Sequence, residues 1–392
     1  MAAGLEEALR ALLGAVSPGR GEHAEVGWGL LGRVLAEDVR APSDLPPDHV
    51  CARDGYLVSS DGEWPGAARV AGACGPGERV GSIAPGEAIE AYSGCAVADD
   101  RAALLPAEEA VARGGRVEVG RRPRPLENLV PRGSSARAGE VVLGEGTQIT
   151  PVELEVLGIL GRGFARVHAR PRVSVISVGS EISLEGPGRT TRYLTVGAVA
   201  AALGAEVLNA GVVEDSPSAI ASALREELGR SDIVVTVGGT GPSSRDVTYV
   251  AVESLGPSAI FRGLDVADAA RSGGAVVGGR PVVVLPGPRV PALNGATLLL
   301  APLVARAAGL RGDPHSLVRA RLARPLHLPR RGMVWVRLRG GMAEPVQPDY
   351  YGISPSRADG YVLGGPGDLA GEVEVRVPSF LRRFTSVPPG SS

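Results

Sequence analysis

The sequence of 392 residues predicts a multidomain α/β protein, in which a doubly wound sheet domain is joined to small β domains and a helical or extended N-terminal region. Apolar strands that alternate with amphipathic helices indicate the doubly wound sheet. Short strands separated by glycine and proline turns indicate the β domains. The length suggests roughly two to four domains, and a composition with 44% hydrophobic and 21% charged residues predicts a packed core.

The charge balance and the cysteine content argue against several classes of protein. A net charge of −2 gives no indication of nucleic acid or a membrane as the partner. The three cysteines, Cys51, Cys74 and Cys95, have no CxxC spacing, so we expect neither a disulfide framework nor a structural zinc site. The N-terminus has no basic-then-apolar leader, and no apolar run approaches the ~20 residues that span a bilayer. We therefore expect a cytoplasmic protein without a membrane or nucleic-acid partner.

The pattern along the chain predicts how it divides into domains. Residues 1–47 and 133–171 are predicted to form the helical and extended N-terminal region, and residues 48–132 a small β domain. Residues 172–312 are predicted to form the large α/β domain, and residues 313–392 a C-terminal β domain.

Two helices are predicted outside the large domain. The first lies near the N-terminus, and its apolar face at helical spacing is formed by Leu5, Ala8, Leu9, Leu12 and Leu13. The second begins at Thr150-Pro151, because proline's missing N–H costs nothing in the first turn of a helix. The apolar residues along it are Val152, Val156 and Ile159.

The strands of the large domain are unbroken apolar runs, which is the pattern of strands buried on both faces of a sheet. They cover residues 172–178, residues 206–208 at the start of a strand, residues 233–237 and residues 282–285. The helices between them predict a parallel sheet with helices on both faces, and ligands bind such sheets beyond the carboxyl ends of the strands.

Glycines and acids follow these strand ends. The segments there are Gly179-Ser180-Glu181, Asp215, Gly238 to Asp246 and Pro286-Gly287. A glycine-rich turn between a buried strand and a helix presents backbone N–H groups to a phosphate, and Asp246 could hold a cation beside it. The residues predicted to bind substrate at this edge are Asp215, Gly238, Gly239, Thr240, Gly241, Ser244, Pro286 and Gly287.

Two polar loops stand out in the small β domain. CARDGY places Asp54 directly before Gly55 in a tight turn. YSGCAVADD follows a strand and exposes Ser93, a candidate phosphate or pterin contact.

The order of these motifs resembles the molybdopterin molybdenumtransferases, the MoeA-type enzymes related to the C-terminal domain of gephyrin. The likeness covers nearly the whole chain. VGWGLLGRVLAEDVRAPSDLPP is similar to the family's N-terminal segment, CARDGY to its SAMDGYA loop and SGCAVADD to the region of its TGA. SVGSEI is similar to TGDEL, VGGTGPSSRD to GGVSVGxxD and LPGPRVPA to LPGNPVSA, while VVEDSP keeps an acid and SRADGYVL fits the C-terminal domain.

The resemblance implies a reaction and a site. Such enzymes insert molybdate (or tungstate) into adenylylated molybdopterin and release AMP with Mg²⁺. It implies catalytic roles for Asp54, Glu181 and Asp246, with Glu181 and Asp246 as metal ligands, since Mg²⁺ prefers a few acids plus waters and phosphates. It also implies a MogA/MoaB-like fold for the large domain. In the family the site forms between the protomers of a homodimer.

Each candidate residue has a structural alternative. Asp246 could cap the helix that follows its turn, and Asp54 could simply form a turn. Glu181 could be a solvated side chain, and Asp215 could lie where the helix dipole favours an acid. Ser93 could be an ordinary turn residue.

The chain also departs from the family pattern. Ser135 stands where the family's GED motif has its Asp, Pro288 replaces the Asn of PGNP, and Arg192 replaces an Asn before the first helix of the large domain. The PGKP element would fall at residues 267–271 and is absent. Because arginine binds phosphate well, the loss of lysines could be offset by Arg245, Arg262, Arg271 or Arg289.

These departures leave two other functions open. One is a MogA-like molybdopterin adenylyltransferase, because GGTG followed by RDVT resembles those enzymes. The other is a non-catalytic paralogue that binds molybdopterin or serves as a scaffold.

Overall fold

The computed structural model describes residues 3–179, 192–241, 246–349 and 353–381, and the side chain of Arg192 is outside the description. The chain forms two compact units, Asp38–Gly144 and Met1–Glu37 together with Glu145–Ser392. The predicted small β domain, residues 48–132, lies inside the first of these, which also includes residues on either side. The helices are α1 (Leu5–Leu13), α2 (Pro151–Ile159), α3 (Arg192–Ala202), α4 (Pro217–Arg230), α5 (Val247–Glu253), α6 (Arg289–Gly295) and α7 (Ala301–Ala307).

The unit Asp38–Gly144 is built from short strands. Strand β1 (Gly21–Glu25) precedes this unit. The strands of the unit are β2 (Val39–Arg40), β3 (His49–Cys51), β4 (Gly55–Ser59), β5 (Gly66–Cys74), β6 (Arg79–Val80), β7 (Glu87–Ala91), β8 (Ala96–Val97), β9 (Ala102–Pro106), β10 (Val111–Arg113), β11 (Arg116–Val119), β12 (Leu129–Val130) and β13 (Val141–Leu143). One sheet has the order β10-β11-β5-β7-β4-β9, a second the order β12-β3-β8-β6, and β13 pairs with β2. Alternate residues such as Leu57 and Leu104 point into the core between them.

The structure contains a disulfide that the cysteine pattern argued against. Cys74 ends β5 and Cys95 precedes β8. The two cysteines form a disulfide bond across a sequence separation of 21 residues, and their Cα atoms lie 5.8 Å from each other. The expectation of unpaired cysteines was wrong for this pair, because the pairing of β5 with β7 brings two distant segments together. Cys51 is a buried free thiol, and burial raises its pKa to about 11.

Residues 145–312 complete the N-terminal region and form the large sheet. The strands here are β14 (Phe164–His168), β15 (Arg172–Val178), β16 (Glu206–Val213), β17 (Ile233–Val237), β18 (Ala259–Phe261), β19 (Gly273–Val277) and β20 (Arg280–Leu285). Antiparallel pairing of β1 with β14 ties residues 21–25 to residues 164–168. Helix α2 begins at Pro151 as predicted. Thr150, the residue before the helix, forms a reciprocal capping box with Glu153 in its first turn.

The large sheet has the order β16-β15-β17-β20-β19-β18. Strands β15, β16, β17 and β20 are parallel, as predicted, whereas β19 runs antiparallel to both of its neighbours, β20 and β18. The reversal follows from the turn Gly278-Gly279, where both residues have positive φ and join β19 to β20 as a tight hairpin. Helices α1, α3, α6 and α7 pack on one face of the sheet and α4 and α5 on the other, which is the predicted doubly wound arrangement.

Among the described residues, one helical segment is long and apolar enough to cross a membrane. It runs from Arg289 to Ala307 through α6, a π-helical turn at Ala296–Leu300 and α7, with a mean hydropathy of 1.3. The expectation that no apolar stretch approaches this length was therefore wrong. Because 72% of the segment is buried inside the fold, its apolar character matches that of a core helix.

Residues 313–381 form the C-terminal β region. Its strands are β21 (His315–Leu322), β22 (Leu326–Leu328), β23 (Gly332–Arg339), β24 (Met342–Pro345), β25 (Gly360–Gly364), β26 (Gly367–Leu369) and β27 (Glu372–Pro378). Strands β21-β24-β23-β25-β27 close into a barrel, and β22 pairs with β26. Buried aliphatic residues such as Val336 and Val375 fill the barrel.

Candidate active site

The carboxyl ends of the parallel strands meet at one edge of the large sheet. The backbone N–H of Gly238, just after β17, donates to the carbonyl oxygen of Leu285 at the end of β20 over 2.9 Å. The N–H of Gly179, just after β15, donates to the carbonyl of Val213 at the end of β16 over 3.0 Å. The strand ends that the sequence predicted to converge therefore lie side by side.

The turn after β17 requires glycine. Gly239 has a φ of +66°, and a Cβ there would lie 2.3 Å from Thr248 Oγ1 and 2.8 Å from Val178 Cγ1. The Oγ1 hydroxyl of Thr248 donates to the carbonyl of Gly238 over 3.0 Å, and the backbone N–H of Thr248 donates to the carbonyl of Gly239 over 3.2 Å. Helix α5 is thus held against the turn, and the side chains of Thr248 and Val178 occupy the space that a Cβ on Gly239 would need.

This turn offers backbone donors. Among the described residues, no acceptor is bonded to the N–H groups of Gly239, Thr240 and Gly241. Thr240 is buried, and Gly241 is partly exposed. Consecutive backbone N–H groups without partners in a glycine turn are suited to the oxygens of a phosphate.

Asp246 lies at the N-cap position of α5, but its side chain makes no capping hydrogen bond. The Oδ1 atom is buried and has no hydrogen-bond partner in the described part of the chain. Burial raises the pKa of Asp246, and this effect outweighs the opposing influence of Arg262 and of the Tyr249 N–H. The Tyr249 N–H acts on this carboxylate as a cap would, but Oδ1 has no partner among the described residues and needs a donor or a cation.

Two residues near Asp246 were missed as a pair by the sequence analysis. The guanidinium of Arg262 lies over the Tyr249 ring, 5.5 Å from its centroid, and forms an ion pair with Glu253 over 2.5 Å. The Tyr249 hydroxyl is buried without a partner among the described residues, and burial raises its pKa. Arg262 had been considered only as a possible phosphate ligand. The position of Tyr249 one turn into the helix after Asp246 was the available signal.

The remaining predicted residues at this edge have simpler surroundings. Pro286 is buried and Gly287 partly exposed directly after β20. Asp215 is exposed two residues before α4, whose N-cap is Ser216. Ser216 makes no side-chain capping bond; its hydroxyl lies 2.9 Å from that of Ser218.

Three of the predicted residues lie outside the described residues, namely Glu181, Ser244 and Arg245. Within the described part of the chain, no group of three or more His, Cys, Asp or Glu side chains is placed to hold a metal ion. At this edge, the described carboxylate with a buried oxygen that lacks a partner is that of Asp246.

Two candidates come together in the other unit. Asp54 Oδ1 accepts a hydrogen bond from the backbone N–H of Ser93 over 2.8 Å, and both residues are exposed. A Cβ on the neighbouring Gly55 would lie 2.1 Å from the carbonyl oxygen of Leu105, so the pairing of β4 with β9 requires glycine at this position. The CARDGY loop and the YSGCAVADD loop thus meet at two exposed residues, Asp54 and Ser93.

The residues present fit a Mg²⁺ ion as a ligand set shared with substrate. Mg²⁺ is commonly held by one or two carboxylates, substrate phosphates and water. The unpartnered Oδ1 of Asp246 provides a carboxylate oxygen next to backbone donors that suit a phosphate.

Comparisons with known proteins decide the family. A model described as the MoeA N-terminal region (domain I and II) matches residues 3–161, and a model described as a "probable molybdopterin binding domain" matches residues 174–306. The chain is a MoeA-type protein of molybdenum cofactor biosynthesis. The resemblance drawn from the motifs is confirmed.

Curated relatives of this MoeA-type chain are similar to it over part of its length. It is 28% identical over 233 residues to the molybdopterin molybdenumtransferase of Haemophilus influenzae, covering 57% of this chain and 58% of that protein. It is 26% identical over 252 residues to the enzyme of that name from Nostoc sp., covering 61% and 58%. The alignments thus span less than two thirds of the length of these two relatives.

A solved structure supports the fold over nearly the whole length. The crystal structure of the molybdopterin biosynthesis MoeA protein from Pyrococcus horikoshii superposes with a TM-score of 0.81 at 26% identity. The match covers 98% of this chain and 100% of that one. The predicted multidomain α/β class is confirmed for this MoeA-type protein.

Proposed function

We propose that this chain is a molybdopterin molybdenumtransferase, which inserts molybdate into adenylylated molybdopterin and releases AMP. The observation that carries the proposal is the buried Oδ1 of Asp246, which has no partner in the described residues and lies at the start of the helix after a glycine turn. An oxygen in this state suits a cation, and the turn beside it offers N–H donors for a phosphate.

Each group has a role in this reaction. The N–H groups of Gly239, Thr240 and Gly241 bind phosphate oxygens and orient the phosphoanhydride. Asp246 holds Mg²⁺, with Glu181 as the second proposed ligand, and when bound the ion neutralises the charge that develops as the anhydride opens. Asp54 acts from the CARDGY loop, where its Oδ1 accepts a hydrogen bond from the N–H of Ser93.

The test is AMP release from adenylylated molybdopterin with molybdate and Mg²⁺. Asp246→Asn keeps the shape of the side chain and removes its charge, so we expect a loss of at least about a hundredfold in rate, similar to the loss of a key electrostatic group. Asp232→Asn is the matched control. Asp232 precedes β17, whereas Asp246 follows it, and Asp232 only accepts a hydrogen bond from the Arg172 N–H over 2.8 Å.

The product released from each substrate separates the rival functions. An adenylyltransferase would release pyrophosphate from ATP and molybdopterin, while a non-catalytic paralogue would bind molybdopterin without releasing AMP or pyrophosphate. Unchanged AMP release in Asp246→Asn would reject the role of Asp246. Parallel reactions with molybdate and tungstate identify the metal oxyanion that is used.

We also propose that the chain functions as a homodimer. Large apolar side chains are exposed in the N-terminal region: Trp28 is 88% exposed, and Val152, Ile159 and Phe164 are each 64% exposed. Val152 and Ile159 are seven residues apart and share one face of α2, while Phe164 pairs with Glu25 beside Trp28. Exposed apolar groups of this kind are typical of protein contacts.

Light scattering tests the dimer. Val152→Glu combined with Ile159→Glu should give a monomer, whereas charges at the exposed Leu317 and Val318 of β21 should leave the mass unchanged. A wild-type chain of monomer mass at micromolar concentration would reject the homodimer.

A further inference from the structure

A cavity lies between α1, the α6–α7 segment and the C-terminal barrel, all within the same compact unit. Its volume is about 310 Å³, which is at the lower end of the range for small-molecule sites. Leucines form most of its apolar wall: Leu5, Leu9, Leu13, Leu298, Leu310 and Leu363. The cavity is independent of the sheet edge proposed as the active site.

The apolar stripe of α1 explains why the cavity is apolar. Ala8 and Leu12 are sealed in the core, whereas Leu9 and Leu13 are only partly buried and face the cavity. Leu298 comes from the π-helical turn between α6 and α7, and such turns are frequent at functional sites. The helix therefore presents more apolar surface than the rest of the fold covers.

The acid in the cavity wall is already paired. Asp313 Oδ1 accepts from His315 Nδ1 over 2.6 Å and from the His315 N–H over 2.9 Å, while Oδ2 lies 3.4 Å from Arg376. Although burial acts to raise the pKa of Asp313, the hydrogen bonds from His315 and the charge of Arg376 lower it. The carboxylate is thus ionised, and its charge is balanced by Arg376.

Two guanidinium groups, one in the cavity wall and one in an adjoining hollow, lack acidic partners among the described residues. Arg306 lines both this cavity and an adjoining hollow, which share Leu9 and Leu13, and Arg10 lines the hollow. Arg306 Nε donates to the carbonyl of Val16 over 2.9 Å, and among the described residues no carboxylate pairs with Arg306 or Arg10. Glu6, the acid in the hollow, is paired with Arg331.

We propose that this cavity binds a small aliphatic monocarboxylate. The tail lies between the leucines, and the carboxylate is bound by Arg306 and Arg10, which suits the planar fork of a guanidinium. At about 30 Å³ per water-sized group, the cavity holds roughly ten non-hydrogen atoms. This matches a chain of about eight carbons with its carboxylate.

Isothermal titration calorimetry on the full chain tests this site with sodium octanoate as the probe. We expect saturable one-to-one binding of octanoate. Octan-1-ol, which lacks the carboxylate, should bind at least about tenfold more weakly, and sodium acetate, which lacks the tail, should not bind. Arg306→Gln should weaken octanoate binding about tenfold, the factor that corresponds to 1.4 kcal/mol. Arg319→Gln, on the exposed side of β21, is the matched control and should bind as the wild type does.

Leu9→Trp places a larger side chain in the cavity and should abolish binding while Arg306 and Arg10 remain. The melting temperature and circular dichroism of Leu9→Trp show whether its fold is intact. If Leu9→Trp does not fold, the proposal is tested by Arg306→Gln alone. Absence of saturable heat at millimolar octanoate would overturn the proposal. Equal weakening in Arg306→Gln and Arg319→Gln, or undiminished binding by a folded Leu9→Trp, would also overturn it. AMP release is measured separately, since the proposed transferase activity does not depend on this cavity.

Discussion

The carboxylate of Asp54 accepts a hydrogen bond from the backbone N–H of Ser93, with 2.8 Å between Oδ1 and N. Two loops that are far apart in the sequence are therefore joined at one exposed acid. Under the proposed function this acid serves the reaction, and it also holds the neighbouring loop.

Two substitutions of Asp54 separate these roles. Asp54→Ala removes the acceptor, so we expect the free energy of unfolding to fall by about 1 kcal/mol. Asp54→Asn keeps an acceptor oxygen and should unfold like the wild type, yet lose AMP release with the charge. Urea unfolding and the AMP assay measure the two effects. Asp61→Ala, which breaks an exposed ion pair with Arg101, is the control and should change little. Full AMP release by Asp54→Asn would restrict Asp54 to holding the loop.

The disulfide between Cys74 and Cys95 gives a second prediction. A thiol titration of the denatured chain should find one thiol, that of Cys51, and three after reduction. Because the bond closes a loop across a separation of 21 residues, reduction should lower the free energy of unfolding by about 3 kcal/mol.

Matched variants assign that change to the bond. The Cys74→Ser, Cys95→Ser double variant should unfold alike with and without reductant, whereas Cys51→Ala should keep the full response. Three thiols in the unreduced chain would contradict the pairing.

The large sheet shows what local pattern can predict. Unbroken apolar runs such as Ile233–Val237 located the parallel strands, and the glycines and acids after them located the edge where the strand ends meet. The antiparallel turn at Gly278-Gly279 was also readable, since a glycine pair between two apolar runs is a hairpin signal. It was missed because the alternation of strands and helices favoured crossovers throughout.

Other features depend on contacts between distant residues. The Cys74–Cys95 bond results from the pairing of β5 with β7, which no spacing of three cysteines reveals. Asp246 Oδ1 is likewise buried without a partner among the described residues, which its turn motif does not reveal. Val152 and Ile159 were noted as apolar, but their exposure on α2 follows from which face of the helix the fold covers.

The tight turn at Gly239 yields a prediction with a close control. Gly239 and Gly256 both have a φ of +66°, but a Cβ on Gly256 would meet nothing within 4 Å. Gly256→Ala should therefore lose only the roughly 1–2 kcal/mol of a left-handed residue. Gly239→Ala adds contact with Thr248 and Val178, an overpacking that costs about 1–3 kcal/mol more. Urea unfolding compares the two, and equal losses would show that the turn relaxes to accept a side chain.

Asp246 should make stability depend on pH in a direction opposite to that of a paired acid. Burial raises the pKa of Asp246 in the folded chain above the ordinary value of 3.8, which applies to the unfolded chain. At a pH between the unfolded and the folded pKa, the folded chain therefore binds more protons than the unfolded chain. The free energy of unfolding contributed by this group then falls as pH rises from about 4 through the folded pKa. Asp246→Asn cannot ionise, so its stability relative to the wild type should rise over the same window. At neutral pH it should be the more stable protein, although it does not release AMP.

Asp313→Asn is the control of opposite sign. The pKa of Asp313 is lowered despite its burial, so its contribution to stability is present above 3.8 and is lost as pH falls through the folded pKa. Asp313→Asn should thus be less stable than the wild type at neutral pH and approach it in acid. Urea unfolding from pH 3 to pH 8 without Mg²⁺ measures both variants. A wild type that is more stable than Asp246→Asn at neutral pH would mean that a partner already satisfies Asp246, and the carboxylate would then not be available to hold a cation.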